Sequence, residues 1–147
     1  MTQAYFPPGL PIPTPDRQGP ASPFWQGLVE NRLRIQKCVH CRSWQWGPEY
    51  ICASCHAFEL EWIEVEPKGT IYSWTRIWQA AQPALAQSTP YLVALIELDA
   101  APGVRLIGNL LGPGGQATPI GASVEGVFEQ HSSGQTAYAL LQWRLTG

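Results

Sequence analysis

The sequence predicts a mainly β protein, built from an N-terminal arm and short helix, a small metal-stapled ribbon, and a C-terminal five-stranded barrel of the OB type. Three observations carry that expectation. All four cysteines of the 147-residue chain fall in two like pairs, Cys38-Val39-His40-Cys41 and Cys52-Ala53-Ser54-Cys55. Seven of the fourteen prolines crowd into residues 1–23. From residue 58 onward the chain reads as strands, in runs broken by Gly and Pro.

Proline at the density of residues 1–22 blocks both helix and central strand, so this stretch is expected to be an extended arm. Its Tyr5, Phe6, Leu10 and Ile12 are too apolar for a simple solvated linker. An arm lying along a partner or the domain, and a disordered tail, are both compatible with that composition. Ser22 offers an N-cap and Pro23 a first helical residue, with Phe24, Trp25, Leu28 and Val29 on one face, which predicts a helix over 23–31. Leu33, Ile35 and Lys37 then alternate with Arg32, Arg34 and Gln36, the period of a strand feeding the ribbon.

Helix, strand and ribbon form an expected unit over 23–59. Its two Cys-x-x-Cys knuckles lie ten residues apart, and tight turns bring both sulfurs of each onto one ion. Cys38, Cys41, Cys52 and Cys55 fill every position of a tetrahedron, which leaves none for water or substrate. The site therefore reads as a structural zinc staple and argues against metal catalysis. Iron, held as in rubredoxin, uses similar knuckles, and spacing alone leaves both metals open. Disulfides would need an oxidising compartment, and the N-terminus lacks the basic region, apolar core and cleavage site of a secretory signal. His40 and His56 lie beside Cys41 and Cys55, but four cysteines already satisfy the ion. Trp44-Gln45-Trp46 alternates before Gly47-Pro48 turns the chain, which should put both tryptophans on one face.

Residues 60–147 are expected to form the barrel. Its first strand runs over 61–65 and on through 70–78, bent at Pro67 and Gly69; the others cover 91–98, 104–111, 123–129 and 136–144. Closure into a small Greek-key barrel removes exposed edges, with a sandwich as the alternative. The stretch 112–121 stands where many OB folds carry a helix and is too broken by Gly and Pro to form one.

Hydrophobic residues make up 45% of the chain and charged residues 14%, and seven are tryptophan. So few surface charges beside so much indole predict a surface that meets a partner, against the plainer reading that every tryptophan packs inside. No apolar run approaches the roughly eighteen residues of a transmembrane helix, and free-thiol usage points to the cytoplasm. A nucleic-acid partner needs a basic track. Net charge is −2, with Lys37 and Lys68 set against nine glutamates, and the barrel strands carry only Arg76, Arg105 and Arg144. Tyr72, Trp74 and Trp78, expected on one strand face, could stack bases; without the track they read as core or protein interface. A single-stranded nucleic-acid-binding module is the alternative function.

Several linked motifs share one register: Pro23-Phe24-Trp25-Gln26-Gly27-Leu28, Leu33-Arg34-Ile35-Gln36-Lys37-Cys38-Val39-His40-Cys41, the second knuckle, Trp62-Ile63-Glu64-Val65, Gly69-Thr70-Ile71-Tyr72-Ser73-Trp74-Thr75 and Pro90-Tyr91-Leu92-Val93-Ala94-Leu95-Ile96-Glu97-Leu98. Together they resemble the acyl-CoA-associated zinc-ribbon and OB-fold family, long listed as domain of unknown function 35. The resemblance implies a rubredoxin-like zinc ribbon before an OB barrel. It further implies a non-catalytic accessory subunit of a thiolase-superfamily enzyme, an aldolase or acyltransferase acting on acyl-CoA thioesters, or of a hot-dog-fold hydratase. In such hetero-oligomers the partner holds the catalytic groups, while the zinc-ribbon protein bridges subunits and helps shape a CoA channel at the shared interface. The arm, with Tyr5, Phe6 and Pro7 to Pro15, resembles that of members paired with steroid side-chain aldolases. One departure is that Arg42 and His56 stand where the family has Gly after each knuckle.

Nothing in the sequence signals a catalytic set of its own. Asp16 and Asp99 sit in turn-like contexts, His131 lies at a Ser-Ser-Gly turn, and Gly112-Pro113-Gly114-Gly115 reads as a plain loop with no helix behind it. Arg32, Arg34, Lys37 and Arg42 are the only basic cluster. They are either a solvated face or a contact for the phosphates of CoA or for acidic groups on a partner.

Overall fold

Pro23, with its φ already helical and no N–H to satisfy, opens helix α1, Ser22–Val29. The computed structural model describes residues 7, 10, 15–133 and 136–147, so most of the expected arm, including Tyr5, Phe6 and Ile12, lies outside the described residues. The N-cap of α1 is Ala21 and not Ser22, because the Ser22 hydroxyl donates instead to the Arg17 carbonyl at 2.9 Å. Beyond the helix Asn31 takes a left-handed φ of 59°, and Arg32 N–H returns to Gly27 O at 2.8 Å. A Cβ on Gly27 would come within 2.7 Å of that Arg32 carbonyl, so this reversal needs glycine.

The reversal feeds β1, Leu33–Cys38, which pairs antiparallel with β2, Trp44–Gln45, and with β3, Leu60–Val65. Here the structure differs from the expected single strand over 61–78. Its first part is β3 of the ribbon sheet, in register from Leu33↔Val65 to Cys38↔Leu60, and only its second part, β4, Lys68–Ile77, enters the barrel. Closing the knuckles brings Leu60 beside Cys38, so β3 completes its ladder on β1. Pro67, which has no N–H to give a ladder, marks the change of sheet.

The barrel closes in the order β4-β5-β6-β8-β7, with β5, Tyr91–Leu98, β6, Arg105–Leu110, β7, Ser123–Ser133, and β8, Thr136–Leu145. Its pairs are antiparallel except β6 with β8, which run parallel and meet at Leu110↔Trp143. Ile71, Leu92, Ile96, Leu106, Val124 and Trp143 fill the interior, and Phe24, Leu28, Leu33 and Ile35 belong to the same buried cluster. Helix and ribbon root are thus seated on the barrel. The segment before β5 holds a 3-10 helix, Pro83–Ser88, and 112–121 forms no helix, as expected.

Two side-chain placements depart from simple alternation. The register of β4 against β5 shifts between Ile71 and Ser73, a bulge that spends one extra residue and reverses the phase of the strand. Tyr72 is therefore exposed while Trp74, opposite buried Ala94, packs on the core; Tyr72 and Trp74 do not share a face. Strand β7 also continues past Glu129, so His131 pairs with Tyr138 inside the hairpin and not at a turn. Of the tryptophans, Trp143 is fully buried, Trp25, Trp44, Trp62 and Trp74 pack partly against the core, and Trp46 and Trp78 are exposed.

Candidate metal centre and the adjoining groove

Each knuckle turns through a residue with φ of 63°, Arg42 in the first and His56 in the second. The turns close through Arg42 N–H to Cys38 O at 3.1 Å and His56 N–H to Cys52 O at 3.0 Å. A left-handed conformation costs a residue with a Cβ about 1–2 kcal/mol, so both knuckles hold strain where the family has glycine. The four sulfurs lie within 4.8 Å of one another, with Cys38 Sγ 3.6 Å from Cys55 Sγ and Cys41 Sγ 3.6 Å from Cys52 Sγ. A tetrahedron of thiolates about 2.3 Å from zinc has edges of about 3.8 Å. The donor set therefore fits one structural metal ion, consistent with zinc, and all four cysteines are free thiols, which sets the disulfide alternative aside.

Hydrogen bonds favour the thiolate at two of the four cysteines, Cys41 and Cys52, while at Cys55 a hydrogen bond at Ala57 is outweighed by burial and the neighbouring cysteines, which push the thiol up to about 11. The side chain and backbone of Ser43 hydrogen-bond to Cys41 and hold its thiol down to about 6. Backbone N–H groups of Ser54 and Cys55 point at Cys52 Sγ at 3.4 and 3.5 Å and favour its thiolate. His40 is turned outward, 3.2 Å from the Glu59 carboxylate, and His56 is exposed; neither joins the sulfur cluster.

Under the knuckles two buried amides do what a larger apolar core would otherwise do. Gln36 is 3% exposed and Gln45 7%. Gln36 donates to Glu49 O at 2.8 Å and accepts from Glu49 N–H at 3.1 Å. Gln45 donates to Gln36 Oε1 and Ile51 O, both at 3.1 Å, and its Oε1 accepts from Ala53 N–H at 2.8 Å. The last bond ties the sheet directly to the second knuckle. Sequence reasoning missed this pair, because a glutamine in an alternating strand reads as an outward residue.

The basic cluster is spread along the ribbon, and each member has a partner within the chain. Arg34 pairs with Glu30 at 2.6 Å, Arg42 with Glu61 at 2.7 Å and Arg32 with Glu64 at 3.8 Å, while Lys37 Nζ lies 4.4 Å from the centre of the Trp44 ring. On the barrel, Arg76 donates to the carbonyls of Gly114 and Gln116, and Arg105 lies over Tyr72 and 3.6 Å from Glu97. No basic track runs along the described strands.

Between α1, the ribbon and the barrel lies a groove of about 410 Å³. Trp25, Trp46, Leu95 and Ile107 line it beside buried Leu28, Leu106 and Leu141, and Asn109 and Gln142 bring amides to it. Trp46 is positioned by Phe24, whose ring it meets edge-on at 4.6 Å. Neither Ile107, 73% exposed, nor this groove was marked by the sequence. Buried Glu129 was missed as well.

Comparison with known proteins bears on this geometry. Residues 25–61 match the family model for the ChsH2 rubredoxin-like zinc ribbon domain, and residues 62–129 the model for the ChsH2 C-terminal OB-fold domain. The chain belongs to this DUF35 family. A solved structure titled "Ltp2-ChsH2(DUF35) aldolase" has a chain similar at TM-score 0.74 and 26% identity, covering 90% of this chain and 98% of that one. A DUF35-family protein of unknown function from Sulfolobus solfataricus shares the fold at TM-score 0.59 and 21% identity, covering 89% of each chain. A curated protein of Thermomonospora curvata, named as a probable enoyl-CoA hydratase alpha subunit, is 33% identical over 102 residues, 69% of this chain and 31% of that protein. The chain thus spans about a third of that relative's length. Among the described residues no helix is long and apolar enough to cross a membrane.

Proposed function

We propose that this chain is a non-catalytic accessory subunit that binds and supports a thiolase-superfamily enzyme, an aldolase or acyltransferase, acting on acyl-CoA thioesters in the cytoplasm. The observation that carries this reading is the near full-length likeness to the DUF35 chain of an aldolase complex, 90% of one chain on 98% of the other. The surface chemistry supports it: Trp46, Trp78, Tyr72 and Ile107 are exposed on a protein with few charges, which suits a partner interface better than open solvent. Steroid side-chain degradation is the pathway class we assign, on the resemblance of the arm and on that aldolase likeness.

Zinc is the metal we assign to the four cysteines, as a clasp that orients the ribbon. The pairs of Arg32, Arg34 and Arg42 are exposed or partly so, and pairs of that kind are worth about 1 kcal/mol or less. Those arginines can therefore exchange their carboxylates for acidic groups of a partner or the phosphates of a CoA thioester at the shared interface. A hot-dog-fold hydratase is the second reading, favoured by the Thermomonospora curvata relative, in which the matching region is part of a longer chain. The nucleic-acid alternative has against it that no basic track runs along the described strands.

Co-expression with the thiolase-like and the hydratase-like proteins encoded nearby tests the assignment. The expected outcome is co-purification with a thiolase-like protein that is insoluble or inactive alone, with no turnover by this chain by itself. Stable association with the hydratase alone transfers the reading to the second class. A chain that stays monomeric beside both, and shifts single-stranded oligonucleotides in a salt-dependent way, overturns it.

A further inference from the structure

The groove is bordered by an unused strand edge. Asn109 N–H points across the seam between β6 and β8, where it donates to the side chain of Gln142 at 2.8 Å. By the two-residue period of a strand paired antiparallel on its other side, the N–H and C=O of Ile107 face the same way. Among the described residues no strand register pairs Ile107 on that side, where β6 and β8 meet at Leu110↔Trp143. The lining of the groove therefore offers the main chain of Ile107 beside the apolar side chains of Leu95 and Ile107.

A buried relay fixes the amide beside that edge. Glu129 is 1% exposed; its Oε2 accepts from Gln142 Nε2 at 2.8 Å and its Oε1 lies 3.0 Å from His131 Nε2. With its Nε2 donating to Glu129 Oε2, Gln142 is set with Oε1 toward β6. There Oε1 receives both Asn109 N–H and Asn109 Nδ2, the latter at 3.1 Å. The Asn109 amide is held in turn with its Oδ1 directed away from Gln142, and it takes no hydrogen bond from the described residues.

We propose that this groove seats an extended apolar peptide segment of the enzyme that the chain assembles with, and that Asn109 reads one peptide group of it. The proposal rests on the accessory-subunit reading and deepens it by naming the surface and the chemistry of contact. The Asn109 amide accepts from a peptide N–H and donates to a peptide C=O, and the Ile107 edge adds main-chain bonds of the strand-addition kind. Trp25, Trp46, Leu95 and Ile107 take the alternate side chains. Of the described residues that line the groove only Arg105 is charged, so an uncharged, apolar occupant fits it better than an anion. Glu129 is a positioning residue, acting through Gln142.

The test uses the full zinc-loaded chain, ¹⁵N-labelled, titrated with acetyl-Lys-Val-Leu-Val-Lys-amide and separately with pantetheine, which carries secondary amides without a strand backbone. Saturable shifts of the Ile107 backbone and Asn109 side-chain resonances with the peptide are expected. Asn109→Leu should weaken peptide binding at least tenfold. Glu129→Gln should move the Asn109 side-chain resonances before any peptide is added, which a merely structural loss elsewhere would not do. Saturation by pantetheine and not by the peptide, or equal peptide binding by Asn109→Leu, overturns the proposal. In co-purification, Ile107→Glu with unchanged metal content should lose the enzyme partner. Retention by Ile107→Glu sinks the groove while leaving the accessory-subunit reading intact. Absence of any partner for the unaltered chain sinks that reading, and the titration then decides the groove alone.

Discussion

Ribbon and barrel solve the same problem by opposite means. The barrel closes its strands around Ile71, Leu92, Ile96, Leu106, Val124 and Trp143, each at most 3% exposed, so burial of apolar area holds it. The ribbon hides little apolar surface of its own beyond Cys38 and Cys52, and Tyr50, Ile51 and Phe58 are exposed on it. Four cysteines placed to converge on one ion, and the Gln36 and Gln45 amides, take the place of such a core. A small unit without room for a core can still be specific, provided that ligation and directed hydrogen bonds replace nonspecific burial. The two regions are not independent, because Leu33 and Ile35 at the root of the ribbon belong to the barrel's buried cluster.

The largest effect should come from breaking the clasp. Binding of structural zinc to such thiolate sites is worth about 10–16 kcal/mol and is coupled to folding. Cys38→Ser, or a strong chelator, should therefore abolish metal content and unfold the ribbon, while far-ultraviolet circular dichroism retains the barrel signal. Normal soluble yield of a metal-free variant with intact ribbon amide protection would refute the clasp. A core truncation tests the other side of the contrast. Ile96→Ala should destabilise the barrel by about 2–5 kcal/mol in urea unfolding and leave one metal ion per chain. Loss of metal together with the barrel would show that the clasp depends on its seat.

The smaller effect sharpens the comparison inside the ribbon. Gln45→Leu keeps bulk but removes the part-buried hydrogen bonds to the Ala53 N–H and the Ile51 carbonyl, at a cost of about 1 kcal/mol for each. The expected result is weaker metal retention in a chelator competition with an unchanged barrel melt. Equal retention would mean that the thiolates alone organise the second knuckle.

Much of this was legible in the residues. The order of helix, ribbon and barrel follows from Pro23, the paired cysteines and the strand runs, each a local signal. The left-handed backbone at Arg42 and His56 was foreshadowed by the family's glycine at those positions. The bulge at Tyr72 was not legible, since nothing in Ile71-Tyr72-Ser73-Trp74 marks where a register will slip. Nor was the fate of the polar residues. Gln36, Gln45 and Glu129 have the composition of solvent-facing positions, and only the elements packed over them make them internal.

The sequence by itself determined the metal site and the sequence of elements, because knuckle spacing, proline and strand period act over a few residues and need no distant partner. Tertiary structure alone decided that the strand expected over 61–78 is shared between two sheets, that Trp74 turns inward while Tyr72 turns outward, and that a groove opens between Trp25, Trp46 and Ile107. Those outcomes depend on which segments, tens of residues apart, come to lie against one another. Register and closure of the whole chain set that, and no local pattern encodes it.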